Sequence, residues 1–246
     1  MPRFRLASYN IHLGIGRDGE FQPARIAQVV SEIEADVIAL QEVSLGAGKF
    51  NLLDYLATQT GMQAIAAPTL VSRVGEYGNA LLTRLHVVEV HRWDLSVGRH
   101  EPRGAIDALL HGNGGNLRVL ATHLGLRPGE RRKQIRALLE IIRRDNRFPT
   151  ALLGDVNEWF LWGRPLRWMH RYFERTPALP TFPSGHPLFA LDRIWLEPRR
   201  ALMRMEVHAS TVARMASDHL PIVADIELED AVALTRQLRD RSATVA

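Results

Sequence analysis

The chain has no cysteine among its 246 residues. That absence excludes disulfide scaffolds, thiolate-bound metals and cysteine nucleophiles, and it leaves the compartment open. Lysine is nearly missing too. Lys49 and Lys133 are the only two, so the rest of the 31 basic residues are arginines. Long apolar runs are absent: the longest, such as 37–40 and 80–82, fall far short of the roughly 18 residues of a membrane-crossing helix. The opening Met-Pro-Arg-Phe-Arg leads straight into a strand-like pattern without the apolar stretch of a secretion signal, which makes the cytoplasm the expected location. No internal repeat, linker or low-complexity tract interrupts the chain.

What is present describes a globular protein. Apolar residues make up 46% and charged residues 24%, an ordinary balance for a soluble domain. A chain of this length can bury about 70% of its extended surface in a core of its own. The net charge is +4. Arginine forks bind phosphate bidentately, but a GC-rich genome produces the same bias, so the excess alone does not identify a phosphate site.

Strand-like and helix-like segments alternate. Residues 4–11 read as a strand, with Leu6, Ser8 and Asn10 on one face and Ala7, Tyr9 and Ile11 on the other. Pro23 opens a helix carrying Ile26, Val29, Val30 and Ile33 at helical spacing. A buried strand is expected at 36–41, and a helix at 52–60 that stops before Gly61. The middle reads as antiparallel hairpins, with strands at 62–68, 79–84, 86–93, 104–111 and 116–122. A helix at 128–144 presents Ile135, Leu138, Leu139 and Ile142. A strand at 150–154, a helix at 163–172 and strands at 193–196, 201–207 and 222–226 follow. Residues 229–246 are polar and read as a terminal helix or tail. The pattern implies two sheets packed face to face with helices outside.

Polar residues recur where the apolar strands end. Five such junctions offer Asn10, Glu42, His123, Asp155, Asn157, Asp218 and His219. Ligands gather where strands stop and loops begin. Carboxylate and amide oxygens without thiolates suit hard cations such as Mg²⁺ or Mn²⁺, and an aspartate beside a histidine can orient an imidazole. Metal-assisted hydrolysis of a phosphodiester fits this inventory. Each signal alone also fits a turn, a cap or a solvated strand end.

Taken in order, the stretches Ser8-Tyr-Asn10-Ile-His12, Leu40-Gln-Glu42-Val43, Tyr77-Gly-Asn79-Ala80, Thr122-His123-Leu-Gly125, Gly154-Asp155-Val-Asn157-Glu-Trp159, Leu191-Asp192-Arg-Ile194 and Ser217-Asp218-His219-Leu-Pro221 resemble the endonuclease/exonuclease/phosphatase superfamily, the DNase I-like fold. The resemblance implies an α/β (α+β) four-layer sandwich: two packed mixed β-sheets flanked by helices, with a catalytic domain over 1–228. It implies a metal site of Glu42, Asn10 and Asp218. It gives Asp155 the attacking water, Asn157 a phosphate oxygen, and His219 the scissile phosphate with Asp192 as its orienting partner. His123 matches a second histidine of some branches. Tyr77 and Asn79 lie in a family-like stretch facing the phosphate, and Arg103 is expected to clamp it.

The expected activity is Mg²⁺-dependent (or Mn²⁺-dependent) phosphodiester hydrolysis by a monomer, as in compact bacterial phosphodiesterases. The partner is a phospholipid head group, a nucleic acid or a small phosphoester, with peripheral membrane contact in the first case. A nuclease, an inositol-phosphate or lipid phosphatase, and a decayed binding module are the alternatives. The presence of Glu42, Asp155 and His219 argues against the last. The run Glu130-Arg-Arg-Lys-Gln134 is expected on a solvated helix face. Trp159, Phe160, Trp162, Trp168 and Phe173 are expected mostly in the core, with one or two at an apolar rim.

Overall fold

The computed structural model describes residues 3–46, 50–72, 75–113 and 115–228. The segment 229–246, expected as a helix or tail, and Lys49 lie outside the described residues. Eleven strands form two sheets among the described residues. The first has six strands in the order β10 (Leu202–Val207), β11 (Ile222–Glu227), β1 (Arg3–Asn10), β2 (Val37–Ser44), β4 (Gly75–Thr83), β3 (Gln63–Ser72). The second has five: β5 (His86–Asp94), β6 (Gly104–Gly112), β7 (Gly115–His123), β8 (Thr150–Asp155), β9 (Asp192–Glu197).

Each sheet is built around one parallel pair, β1 with β2 and β7 with β8. Antiparallel strands flank each pair: β11 and β4 in the first sheet, β6 and β9 in the second. The parallel connections run through α1 (Pro23–Ile33) and α3 (Pro128–Arg144), as parallel strands require a crossover. Both helices open on a proline in the first turn. α2 (Leu52–Thr60) is capped by Asn51, whose side chain accepts from Asp54 N at 3.2 Å, and ends at Gly61 with φ 64°.

The alternation of side chains along the strands sorts the core into three layers. Leu6, Ala39, Leu81, Val119, Leu153 and Ile194 meet between the sheets. Ala7, Tyr9, Ile38 and Leu40 face the other way, under α1 and α2 with Ile26, Val30 and Leu56. Leu120, Leu152 and Trp195 face α3 and α4 (Arg164–Tyr172) with Ile135, Leu138 and Met169. The result is the four-layer sandwich expected.

The structure corrects two details. Glu130, Arg131 and Gln134 are not solvated: Arg131 is 2% exposed. They are buried because the loop after β7 folds down onto them. Gly125 makes this approach possible, since a Cβ there would lie 1.9 Å from the Glu130 carboxyl carbon. The aromatics after Asp155 also divide differently: Phe173 is buried, but Trp159, Phe160 and Trp162 are all exposed. A four-residue helix, α5 (Ala213–Ala216), was not anticipated; it precedes Ser217-Asp218-His219.

Candidate active site

The residues singled out in the sequence lie at one end of the sandwich. Parallel pairs place their C-terminal ends together, and their antiparallel partners begin there. Asn10 ends β1, Glu42 lies two residues before the end of β2, and His123 and Asp155 end β7 and β8. Tyr77 and Asn79 lie near the start of β4, Arg103 precedes β6, Asp192 starts β9, and Asp218 and His219 precede β11.

Strand phase aims them. On β1 the inter-sheet positions include Leu6, and the same phase reaches Asn10; on β7 it runs Val119, Ala121, His123; on β8 Ala151, Leu153, Asp155; on β9 it returns from Ile194 to Asp192. The core alternation thus continues into polar residues at the open end. Glu42 is out of phase, but an irregularity in β2 between Leu40 and Val43 re-aims it. Glu42 adopts φ 56°, a left-handed conformation, and Asn157 adopts φ 50°. Such strain in non-glycine residues concentrates at functional sites. Gly154 is required for a different reason: it pairs with Thr122, and a Cβ on it would stand 1.9 Å from the Thr122 carbonyl oxygen.

A continuous network joins the side chains. Asn10 Nδ2 donates to Glu42 Oε1 at 3.1 Å and to Asp155 Oδ2 at 3.2 Å, bridging the two sheets. Asp155 Oδ1 accepts the Asn157 backbone N–H at 2.9 Å, while Oδ2 lies 3.5 Å from His123 Nε2 and 3.8 Å from His219 Nε2. Asn157 Nδ2 contacts His123 Nε2 at 3.0 Å and donates to the Leu124 carbonyl at 3.0 Å. His219 Nδ1 meets Asp192 Oδ2 at 2.8 Å. Asp155, Asp192 and His219 are all buried, and each places a donor atom within 4.8 Å of the others.

The two histidines are driven apart electrostatically. Burial disfavours charge on both. At His219 the charge and hydrogen bond of Asp192, with Asp155 and Asp218 beyond, overcome burial and lift the pKa to about 10. At His123 burial wins over the Asp155 charge, Arg103 and His219 reinforce it, and the pKa falls to about 3. One imidazole is a cation and the other is neutral at pH 7.

Arg103 is buried and forks onto Glu101, at 3.0 and 3.1 Å, with Nη1 also 3.4 Å from His123 Nδ1 and Nε without a hydrogen-bond partner among the described residues. The Tyr77 phenol is pushed up by burial and by the charges of Glu42 and Glu101, against the lowering effect of Arg103. Asn79 turns away from this network. Its Nδ2 donates to the Gly104 carbonyl at 3.1 Å and clasps β4 of one sheet to β6 of the other.

Sequence reasoning missed three contributors. Thr181 Oγ1 donates to Asp192 Oδ2 at 2.5 Å, Ser217 Oγ donates to the Asn10 carbonyl at 2.7 Å, and Phe182 lies with its ring 4.8 Å from that of His219. Ser217 carried a signal in its place before Asp218-His219. Thr181 and Phe182 sit in a loop with no pattern of their own.

The donor set is suited to a hard divalent cation. Glu42 is half-buried; burial and the charges of Asp218 and Asp155 push its pKa up against the Asn10 hydrogen bond. Neither Glu42 nor Asp218 makes an ion pair among the described residues. Carboxylate oxygens without thiolates match Mg²⁺ or Mn²⁺ better than softer metals, although the Asn10 amide oxygen is engaged by the His12 backbone N–H at 3.1 Å. The Asp192–His219 pair, by contrast, already balances its own charge.

A sequence model of the Endonuclease/Exonuclease/phosphatase family matches residues 7–219. Enzymes of that family are hydrolases of phosphoester bonds and generally depend on a divalent metal. The chain is 29% identical to the uncharacterized protein YbhP of Escherichia coli (strain K12), covering 92% of this chain and 96% of that one. Among solved structures, an endonuclease/exonuclease/phosphatase from Beutenbergia cavernae DSM 12333 superposes with a TM-score of 0.78 at 23% identity, covering 93% of this chain and 72% of that one. The Bacteroides thetaiotaomicron mannosyl-6-phosphatase Bt3783 superposes with a TM-score of 0.73 at 18% identity, covering 92% of this chain and 100% of that one. Over nearly its whole described length, from the first strand to the His219 junction, the chain belongs to the endonuclease/exonuclease/phosphatase family.

Proposed function

We propose that the protein is a divalent-cation-dependent phosphodiesterase that cleaves its substrate by in-line attack of water. The observation that carries this reading is the unbroken chain Glu42–Asn10–Asp155–His219–Asp192, which sets a carboxylate, an amide, a second carboxylate and a held imidazolium around one opening.

Glu42, with Asp218 and Asn10, would hold the divalent ion, which when bound polarises a phosphoryl oxygen as a Lewis acid. Asp155 Oδ2 orients the attacking water and accepts its proton; Asn10 and the Asn157 backbone N–H hold that carboxylate in place. The water oxygen bonds to phosphorus and the ester oxygen departs. The Asn157 amide donates to a phosphoryl oxygen. His219 faces the opening with Nε2–H, neutralises charge gathering on the phosphoryl group and gives a proton to the departing oxygen. Asp192 fixes its ring. His123 stays neutral and, backed by Arg103, completes the wall. Arg103, paired with Glu101, and Tyr77 form a second side to the phosphate position, while Asn79 acts through the backbone it holds.

Turnover of bis(p-nitrophenyl) phosphate with Mg²⁺ or Mn²⁺ tests the reading. Asp155→Asn and His219→Ala each lower kcat by about 10² to 10⁴; Asp155→Asn melts near the wild type, whereas His219→Ala, which strands the buried Asp192 carboxylate, melts lower. Full activity in either variant overturns the mechanism. Offering p-nitrophenyl phosphate and supercoiled plasmid in parallel separates a phosphomonoesterase or a nuclease from a phosphodiesterase by the product released. The expected setting is a cytoplasmic monomer; no helix among the described residues is long and apolar enough to cross a membrane.

A further inference from the structure

The loops that leave the strand ends at the site carry side chains that water does not favour. Trp162 and Leu188 are each 71% exposed, and Leu126, Phe160 and Leu161 are more than half exposed. They come from three loops held side by side. Arg131, buried, donates to the Leu126 carbonyl at 2.6 Å and to Glu158 at 3.3 Å, tying the loop after β7 to the loop after β8. Trp159 packs against Phe189 at 4.8 Å and Phe182 at 5.8 Å, tying the loop after β8 to the loop before β9. Phe182 in turn lies on His219. The loops that carry the exposed residues are therefore tied to one another, and one of them to the catalytic imidazole. Exposed apolar side chains gathered on neighbouring loops, with Phe160 and Trp162 in ring contact at 5.4 Å, mark an interaction surface.

Unpaired cations border the patch. Arg127 follows Leu126, and Arg164 follows Trp162 after one glycine. Arg132 and Lys133 share with Arg127 and Arg136 a cleft beside the patch. Arg127, Arg132, Lys133 and Arg164 make no ion pair among the described residues. Glu130, which also lines that cleft, is buried, and Glu101 is held by Arg103. Aliphatic and aromatic side chains together, rimmed by arginines, match the interfacial zone of an anionic bilayer, where tryptophan and phenylalanine sit at the headgroup level and basic residues meet lipid phosphates. Three of the five most exposed apolar residues are not a stacking platform: leucines do not stack on nucleobases as aromatic rings do, but they partition into acyl chains as readily.

We propose that this rim docks the protein on an anionic phospholipid surface, so that the site takes its phosphodiester from a lipid headgroup. The proposal rests on the phosphodiesterase reading for its second half. It is tested by sedimentation with vesicles of phosphatidylcholine alone and of phosphatidylcholine mixed with phosphatidylglycerol. Wild-type protein, Phe160→Ser/Trp162→Ser and Arg127→Glu/Arg164→Glu are compared, with bis(p-nitrophenyl) phosphate as the soluble control. The wild type pellets with the mixed vesicles, and the aromatic variant binds them at least about tenfold more weakly, as expected from the transfer free energy of two large apolar side chains. The charge variant loses the preference for mixed over neutral vesicles. All three hydrolyse the soluble diester alike, which shows that the fold and the chemistry are intact. A wild type that stays in the supernatant, or an aromatic variant that still pellets, overturns the docking surface. So does loss of single-stranded oligonucleotide binding in the aromatic variant while vesicle binding persists. Vesicle binding is read without turnover, so a wild type that binds vesicles but leaves the soluble diester and the lipid headgroups uncut overturns the phosphodiesterase reading and leaves the docking surface standing.

Discussion

At Asp192 the two carboxylate oxygens differ sharply. Oδ2 receives both Thr181 and His219, while Oδ1 is buried with no partner among the described residues. The residue is a positioning group: it touches the imidazole and not the opening. Asp192→Ala therefore lowers kcat with little change in KM, and Asp192→Asn recovers part of the loss by keeping an oxygen near Nδ1. Steady-state kinetics on the soluble diester checks both. Gly154 sets a steric requirement beside the same network. Gly154→Ala drives a methyl into the Thr122 carbonyl, so β7 and β8 separate where they carry His123 and Asp155. Stability and activity fall together in that variant, read by thermal melt and turnover. At this scale the strand-end placement of Asn10, Glu42, His123 and Asp155 was legible because each follows an apolar run, that of Asn157 because it stands two residues after Asp155, and that of His219 because with Asp218 it opens the last apolar run. The sequence was silent for Thr181, whose partner is eleven residues away across a loop, and for the clasp role of Asn79, because a side-chain amide and a backbone carbonyl leave no pattern.

Among the elements, α3 shows how one side chain can hold a layer. Its C-terminal carbonyls are met from below by Arg118 of β7, which donates to Ile141, Ile142 and Asp145 carbonyls at 3.2, 3.2 and 2.5 Å. The same guanidinium forks onto Asp107 of β6 at 2.8 and 2.6 Å. Both partners of this pair are buried. Removing one leaves the other charge unpaired in the interior, so Arg118→Met costs about 3–5 kcal/mol, measured by denaturant unfolding, and Arg118→Met/Asp107→Leu recovers much of it. Asp145, at the end of α3, adds a pH dependence. Hydrogen bonds from Arg147, and the charges of Arg147 and Arg118, hold its carboxyl down to about 2 against partial burial. A depressed carboxylate stabilises the fold above its ordinary pKa and loses that contribution as pH falls toward about 2. Asp145→Asn shows a flatter acid limb in the unfolding midpoint. Helix 128–144 was legible from its apolar stripe; the burial of Arg131 and Glu130 was not, because it depends on how closely the Gly125 loop descends.

For the molecule as a whole, the two sheets share the chemistry unequally. Glu42, Asn10 and Asp218 belong to the first sheet or its loops, while Asp155 and Asp192 belong to the second. A cation held by the first group, as proposed, would bind the folded state alone and stabilise it by RT ln(1 + [L]/Kd), about 2.7 kcal/mol at a hundredfold excess over Kd. Mg²⁺ or Mn²⁺ therefore raises Tm, EDTA reverses the rise, and Glu42→Gln abolishes it. The layered architecture was legible because strands of period two and helices of period 3.6 alternate along the chain. The exposure of Trp159, Phe160 and Trp162 was not, since an aromatic run after a strand reads as core until the neighbouring loops show that no layer covers it.

The shared strand phase carries a further consequence for how such a protein can change over time. A strand has two frames, and here one frame serves both the packed interior and the reactive end. A single inserted or deleted residue within β1, β7 or β8 would turn hydrocarbon toward solvent and chemistry toward the helices in the same event, so such changes are removed with the fold itself. Substitutions at the strand tips face no such coupling. The lineage is thus free to retune or silence its reactive groups one at a time, but it can gain or lose length only in the loops beyond them.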